Sequence, residues 1–455
     1  METKNQTIGF LPDERPPIWK LLLYALQQVV VMFPATIAVA LLTGFHVSTT
    51  IFASGLATVC FILITGRQIP LYYGSSFSYL SAILALMAQP EIAALTQNEQ
   101  IATAQFGIVM SGFVSIAAGF LVKASGKNVI EKILPASVTG SIAMVIGLTL
   151  AGNALGDAAS FGANPIPVGM EMTASNLAWV VSLVTLLATI LFSRYLKGFW
   201  SQLPLLLGPI VGCLVAFIAG QASGLDFFRN SPIKDAALFA LPTFTLPIPS
   251  WAAVAALMPI AIATIPESTA HVFQLDIYVN DLARKKGTGK IYKIADKLGL
   301  NLIGDGIGDI VAGFIGGPAG TNYGENISAM AITRVFSTAV LIGAAIIAMI
   351  IACFTPLINA IYAIPTPVIG GLEIYLFGAI AAQGIAIMIE KKADMFNSKN
   401  IAVIACIMVI AVGGQYKFGG SIPFFGVNVP CIAGAAIFGI LLNLLLSIGE
   451  KKENA

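Results

Sequence analysis

Apolar runs long enough to cross a bilayer alternate with short polar connections along almost the whole chain. A transmembrane helix needs about 20 predominantly apolar residues, and the runs predict fourteen spans. They lie near residues 19–43, 49–65, 69–87, 101–122, 133–155, 175–192, 203–218, 252–273, 298–317, 323–333, 335–354, 367–389, 401–415 and 429–446. The third and the tenth are abnormal, and they hold the same place in each run of seven. The third opens on Ile69-Pro70-Leu71-Tyr72-Tyr73-Gly74-Ser75-Ser76-Phe77, and the tenth is led by Gly316-Gly317-Pro318-Ala319-Gly320-Thr321-Asn322-Tyr323-Gly324-Glu325-Asn326. Both are short, interrupted by Gly and Pro, and rich in small hydroxyl or amide side chains. Broken backbone cannot face lipid, because each unpaired N–H or C=O there costs several kcal/mol. Both stretches must therefore be buried against protein or line a cavity. Paired interruptions in two halves point to an inverted-repeat transporter with its substrate near the midplane. Seven is odd, so the second repeat enters from the opposite side. The predicted fold class is all-α integral membrane, with fourteen transmembrane spans as two inverted seven-span repeats.

Composition agrees with a lipid solvent. Of 455 residues 57% are hydrophobic and 10% charged, with a mean hydropathy of +0.88, whereas soluble domains run near 45–50% and about 25%. The net charge of +2 offers no basic face for nucleic acid. The distribution of the 24 Lys and Arg says more. With the N-terminus in the cytoplasm, all but Arg229, Lys234 and Lys417 fall on the cytoplasmic side, as the positive-inside rule demands. Both termini are then cytoplasmic, in a multi-pass protein of the inner membrane. The first residues, with Asp13, Glu14 and prolines, do not fit a cleavable signal peptide. The five cysteines form no CxxC pair and have no His nearby, so they read as small packing residues rather than disulfides or zinc ligands. No metal or cofactor is expected, and no nucleophile constellation suggests an enzyme.

Glu267, Asp305, Asp309, Glu325 and Glu373 fall within or against the spans. Insertion of an Asp at a helix centre costs roughly 2.5–3.5 kcal/mol, so an intramembrane acid is a functional candidate. Glu267 and His271 are four apart, on one helical face. A carboxylate and an imidazole so placed can share a proton; the plainer reading is a polar pair at a helix interface. Pro266 also frees a carbonyl one turn back. Glu325 follows Gly324 at a helix N-terminus, where unpaired N–H groups point inward. Those donors suit ring carbonyls, and the carboxylate suits ring N–H groups of a planar amide-like solute; alternatively Glu325 only offsets its own helix dipole. Ser75, Ser76 and Phe77 give the third span the same kind of terminus, with an aromatic face for stacking. Asp305 and Asp309, four apart among glycines that allow close helix approach, serve either packing and hydrogen bonding or ligand contact. Glu373 lines the path or sits near an outer edge. His46 reads as a solvated loop residue.

An ordered set of motifs resembles the nucleobase/ascorbate transporter family, particularly its bacterial uracil permease branch. It comprises Leu26-Gln27, Met32-Phe33 and Ala35-Thr36 in the first span, and Gly74-Ser75-Ser76-Phe77 in the third. Glu267 and His271 follow, then Gly304-Asp305-Gly306, Thr321-Asn322-Tyr323-Gly324-Glu325-Asn326, and Pro365-Thr366-Pro367-Val368-Ile369-Gly370-Gly371. The resemblance implies a core of spans one to four (18–125) and eight to eleven (251–354). It implies a gate of spans five to seven (129–222) and twelve to fourteen (363–448), through which members dimerise. It assigns the substrate carboxylates to Glu267 and Glu325, and substrate-facing backbone amides to Phe77 and Gly324. Tyr323 and Ser76 lie beside them, the proton relay is His271, and Gln27 and Asp305 support the site. Glu325, in place of the Gln of the purine branch, implies a uracil-type pocket. The chain departs from the family in reading Gln27-Gln28 for Gln-His, and Glu267-Ser268-Thr269-Ala270-His271 where a second histidine is usual.

The expected function is secondary active import of uracil or a related nucleobase by proton symport. Purine or xanthine transport, sodium coupling and uncoupled passage are the alternatives within the family. A passive pore conflicts with broken helices at the midplane, and an anion carrier conflicts with two acids at the site.

Overall fold

The computed structural model describes residues 9–126, 132–162, 164–231 and 237–448. Lys4, Lys127, Lys234, Lys451 and Lys452 of the sidedness argument lie outside the described residues, as do the chain termini and the start of the 129–222 stretch. Each segment expected from hydropathy has a helix in its place. These are α1 (Ile18–Thr43), α2 (Val47–Ile64), α3 (Phe77–Met87), α4 (Gln97–Ser125), α5 (Ala136–Ala159), α6 (Glu171–Tyr195) and α7 (Pro204–Ser223). The second half supplies α8 (Trp251–Lys285), α9 (Ala295–Ile315), α10 (Gly324–Thr333), α11 (Thr338–Ala352), α12 (Thr366–Glu390), α13 (Ser398–Phe418) and α14 (Cys431–Leu446). Among the described residues ten are long and apolar enough to cross a membrane; α3, α10, α11 and α14 are shorter.

Local signals set the helix ends. Glycines in the left-handed conformation close α1 at Gly44 (φ 75°) and α9 at Gly316 (φ 101°), where a side chain would be strained. Thr96 and Glu99 form a reciprocal capping box that starts α4. Helix α8 runs well past the expected residue 273 to Lys285, because its last turns leave the apolar zone as a charged, solvated helix. There Asp281 pairs with Arg284 and Lys285.

Helix contacts come in pairs that exchange when the halves are interchanged. Helix α4 packs on α9 as α11 packs on α2; α12 packs on α6 as α5 packs on α13; α6 packs on α7 as α13 packs on α14. The contacts of α5 with α12 and of α2 with α9 are each their own counterpart. Such reciprocity is what two copies of one seven-helix motif produce. Two strands lie at its centre, β1 (Tyr73–Ser75) ahead of α3 and β2 (Gly320–Asn322) ahead of α10, and they pair antiparallel. A hairpin of β3 (Ser421–Phe424) and β4 (Val427–Pro430) joins α13 to α14.

Small residues let the halves approach closely. A Cβ on Gly112 of α4 would stand 2.5 Å from the Gly306 carbonyl of α9, and one on Gly119 2.6 Å from that of Gly299. This is the close-packed interface small residues give membrane helices. Large apolar side chains on α6, α7 and α13, such as Leu187, Phe217 and Val409, are exposed, as a lipid-facing surface requires. A compact apolar cluster joins Ala38, Val39 and Leu80 of α1 and α3 to Leu150, Ala154, Leu372, Leu376 and Phe377 of α5 and α12.

Candidate substrate site

The two interrupted segments meet at the strands. Tyr73 pairs with Asn322, Gly74 with Thr321 and Ser75 with Gly320. The ladder continues through Ser76 N–H to the Ala319 carbonyl and Tyr323 N–H to that of Tyr72, both 2.9 Å. Backbone that cannot be helical thereby satisfies itself inside the protein. The glycines are required: a Cβ on Gly74 would enter the Tyr323 ring, and one on Gly320 the Tyr73 ring. The Tyr323 hydroxyl donates to the Ser75 carbonyl at 3.0 Å and shares a hydrogen bond with Thr36 Oγ1, also 3.0 Å. The Tyr73 hydroxyl donates to Asp309, which also accepts from Gly320 N–H at 2.9 Å.

Helices α3 and α10 leave the strands in opposite directions, so their N-termini converge. Phe77 and Gly324 occupy the first helical positions, where a helix has no internal acceptor for its N–H groups. Both residues line a cavity of about 550 Å³, within the range of small-molecule sites. Its other walls are Ser78, Glu267 and His271 on one side, and Thr139, Ala143 and Ile146 of α5 with the Leu376–Ile387 face of α12 on the other. Glu267 and Glu325, from different helices, open onto this one space and lie near enough to repel. Glu267 accepts from Ser78 Oγ at 3.4 Å. His271 is buried with Nδ1 unpartnered, and its ring rests on the backbone at Gly324, where a Cβ would stand 2.9 Å from Nε2. An edge-to-face contact of Phe77 with Phe377, centroids 6.2 Å apart, closes one end.

A model of the Permease family matches residues 19–419. The chain belongs to the nucleobase/ascorbate transporter family. Among relatives of this transporter, the uracil permease of Bacillus caldolyticus is 36% identical over 442 residues, covering 95% of this chain and 94% of the relative. That of Escherichia coli K12 is 34% identical, with 96% and 93% covered. That of Bacillus subtilis is also 34% identical, with 100% and 98% covered. All are transport proteins, and this one is likewise a multi-pass membrane protein. Among solved structures, the transmembrane domain of a cyanobacterial bicarbonate transporter, BicA, superposes with TM-score 0.59 at 15% identity, covering 94% of this chain and 97% of that one. The murine Slc26a9 anion transporter superposes with TM-score 0.61 at 14% identity, covering 98% and 72%. They share the fold of two inverted seven-span repeats.

Several residues named from the transporter's sequence do not line the cavity. Ser76 is buried, and its Oγ accepts from Ser78 N–H at 3.2 Å; Ser75 and Ser78 line the space instead. Asp305 is buried behind the site, accepting from Ser268 Oγ (2.7 Å), Asn301 Nδ2 (3.0 Å) and Asn322 Nδ2 (3.3 Å). Asp309 is buried with Tyr73 and Gly320, so both aspartates brace the strands. Gln27 is buried away from the cavity; its neighbour Gln28 ties α1 to α10 by accepting from Asn326 Nδ2 at 2.8 Å. His46 lies at an exposed surface, bonded to Asn98 at 2.7 Å. Sequence reasoning passed over Gln274 and Gln383, both on the cavity. Gln274 lies seven residues beyond Glu267, hence on the same helical face, which a helical-face count would have shown. Gln383 is the single amide of α12, and only its neighbours in space mark it.

Proposed function

We propose that this transporter imports uracil or a closely related nucleobase by proton symport. The observation that carries the reading is the meeting of Glu267 and Glu325, from opposite repeats, on one cavity beside two helix N-termini. A uracil ring presents carbonyl oxygens and N–H groups around one plane. The N–H groups at Phe77 and Gly324 suit the first, the two carboxylates the second, and the Phe77 ring offers a stacking face. Uracil permeases among the relatives support the same substrate.

In the proposed cycle a proton enters at the Glu267–His271 unit and removes one of two facing negative charges. The base then binds, and the core of α1–α4 and α8–α11 moves against the gate of α5–α7 and α12–α14. With the N-terminus cytoplasmic, Gln274 and the 383–387 stretch of α12 lie toward the inner face, so the cavity opens inward and the Leu80–Leu376 cluster seals the outer side. One charge crossing 100 mV supplies about 2.3 kcal/mol, enough for a roughly fiftyfold gradient, since each tenfold takes about 1.4. In cells or proteoliposomes, Glu267→Gln should abolish pH-driven accumulation of labelled uracil. Normal accumulation by that variant would refute the role of the acid, and uptake indifferent to an uncoupler would refute proton coupling.

A further inference from the structure

One intramembrane acid takes no part in the substrate site. Glu373 on α12 is 0% exposed, and neither Oε1 nor Oε2 meets a hydrogen-bond donor. What faces it is a second carboxyl group, that of Asp157 near the end of α5. Ionised carboxylates carry only acceptor oxygens. Two of them in contact away from water repel, unless a proton or a cation lies between.

The surroundings favour the proton. Arg229, in the connection from α7 to α8, acts on Asp157 and not on Glu373. Helix α6 brings Ser182 and Thr185 against neighbouring Gly371, and neither titrates. Glu171, at the start of α6, is exposed and turned to the Gly169 backbone. Tyr362 is engaged with Val47 N–H, and Tyr375 with Ser193. Among the described residues no three His, Cys, Asp or Glu side chains gather as a metal site would require. Asp157 is half-buried, giving a proton a route from the outer face.

We propose that Asp157 and Glu373 share a single proton, forming a second protonation site inside the gate, separate from the substrate cavity and reached from the outer side. The pair sits directly behind the outer seal. Ala154 lies one turn before Asp157 on α5, and Leu372, Leu376 and Phe377 flank Glu373 on α12. A shared proton holds the two helices together there. Its loss puts two like charges between them and loosens the seal that α5 and α12 form with α1 and α3.

The uptake arm of the test rests on the transport reading; the spectroscopic arm does not. Labelled-uracil exchange is followed in proteoliposomes with equal pH on both faces, which removes the driving gradient. Wild-type exchange should fall about tenfold for each pH unit above the apparent pKa of the pair. Glu373→Gln, whose amide donates to Asp157 at any pH, should lose the part of that fall owed to the pair and keep the part owed to the Glu267–His271 unit. Without substrate, the infrared band of a protonated carboxyl group should weaken in Glu373→Gln relative to wild type, and Asp157→Asn should weaken it likewise. Unchanged pH profiles with an unchanged band overturn the proposal. So does a melting temperature raised by sodium chloride over choline chloride in wild type alone, which would put a cation between the acids. Absent wild-type exchange counts against the transport reading, and the infrared band still decides the pair.

Discussion

Gly324 has no side chain because His271 occupies the space one would need. Gly324→Ala must displace the imidazole from a contact of 2.9 Å, and the same residue supplies an N–H at the site. Uracil uptake should drop at least tenfold, with the purified protein still monodisperse and its thermal stability little changed; unaltered uptake would separate the histidine from the reaction. Asp13 tests a different residue-scale balance, near the N-terminal end of the described chain. Burial raises its pKa, but hydrogen bonds from Lys290 and Tyr292 outweigh this and leave it below its ordinary value of 3.8. The stabilisation is therefore complete at neutral pH and is lost as pH falls through the depressed value. Asp13→Asn should lower the melting temperature at pH 7 and at pH 5, and the difference should close as the pH drops below 3.8. The Glu267–His271 spacing was legible in sequence because both residues sit on one helix. The choice of Gln28 over Gln27 as the partner of Asn326 was not, since it depends on how α1 is rotated against α10.

The strands β1 and β2 are the smallest elements on which the site depends. Each ends where a helix begins, and each needs one glycine so that a tyrosine from the other repeat can lie over it. Gly74→Ala forces the Tyr323 ring aside and breaks its bonds to Ser75 and Thr36. Overpacking of this kind costs about 1–3 kcal/mol, so the variant should melt earlier in detergent and lose uptake. Normal melting would mean that the ring has room the geometry denies. That both segments were interrupted could be read from Gly, Pro and the cost of unpaired backbone in lipid. That they pair with one another could not, because three-residue strands from distant parts of the chain carry no local signal of their partner.

Across the whole molecule, the cavity and the apolar cluster lie at different levels of the contact that α5 and α12 make with the two broken segments and their neighbours. Ala38, Val39 and Leu80 meet Leu150, Ala154, Leu372, Leu376 and Phe377, and the cavity continues from Glu267 along α8 and α12 to Gln274 and Ile387. In the proposed alternating-access cycle, opening passes from the cavity side of this contact to the cluster side. Phe377→Ala removes the α12 half of the ring contact with Phe77. With the five native cysteines replaced, Ser78→Cys should react several times faster with a membrane-impermeant thiol reagent added outside when Phe377→Ala is also present. Equal reactivity with and without that change would remove the cluster from the sealing role.

Amino-acid order alone determined the membrane solvent, the place of the two broken segments and the acids, Glu267 and Glu325, that meet at the cavity. Each of these follows from local rules: hydropathy over a window, backbone satisfaction in lipid, and helical spacing. Only the tertiary structure decided that Ser76, Gln27 and Asp305 stand off the cavity while Ser78, Gln274 and Gln383 line it, and that Glu373 of α12 faces Asp157 of α5. Those outcomes depend on the rotation of one helix against another. That rotation is set by close packing at glycines far apart in the chain.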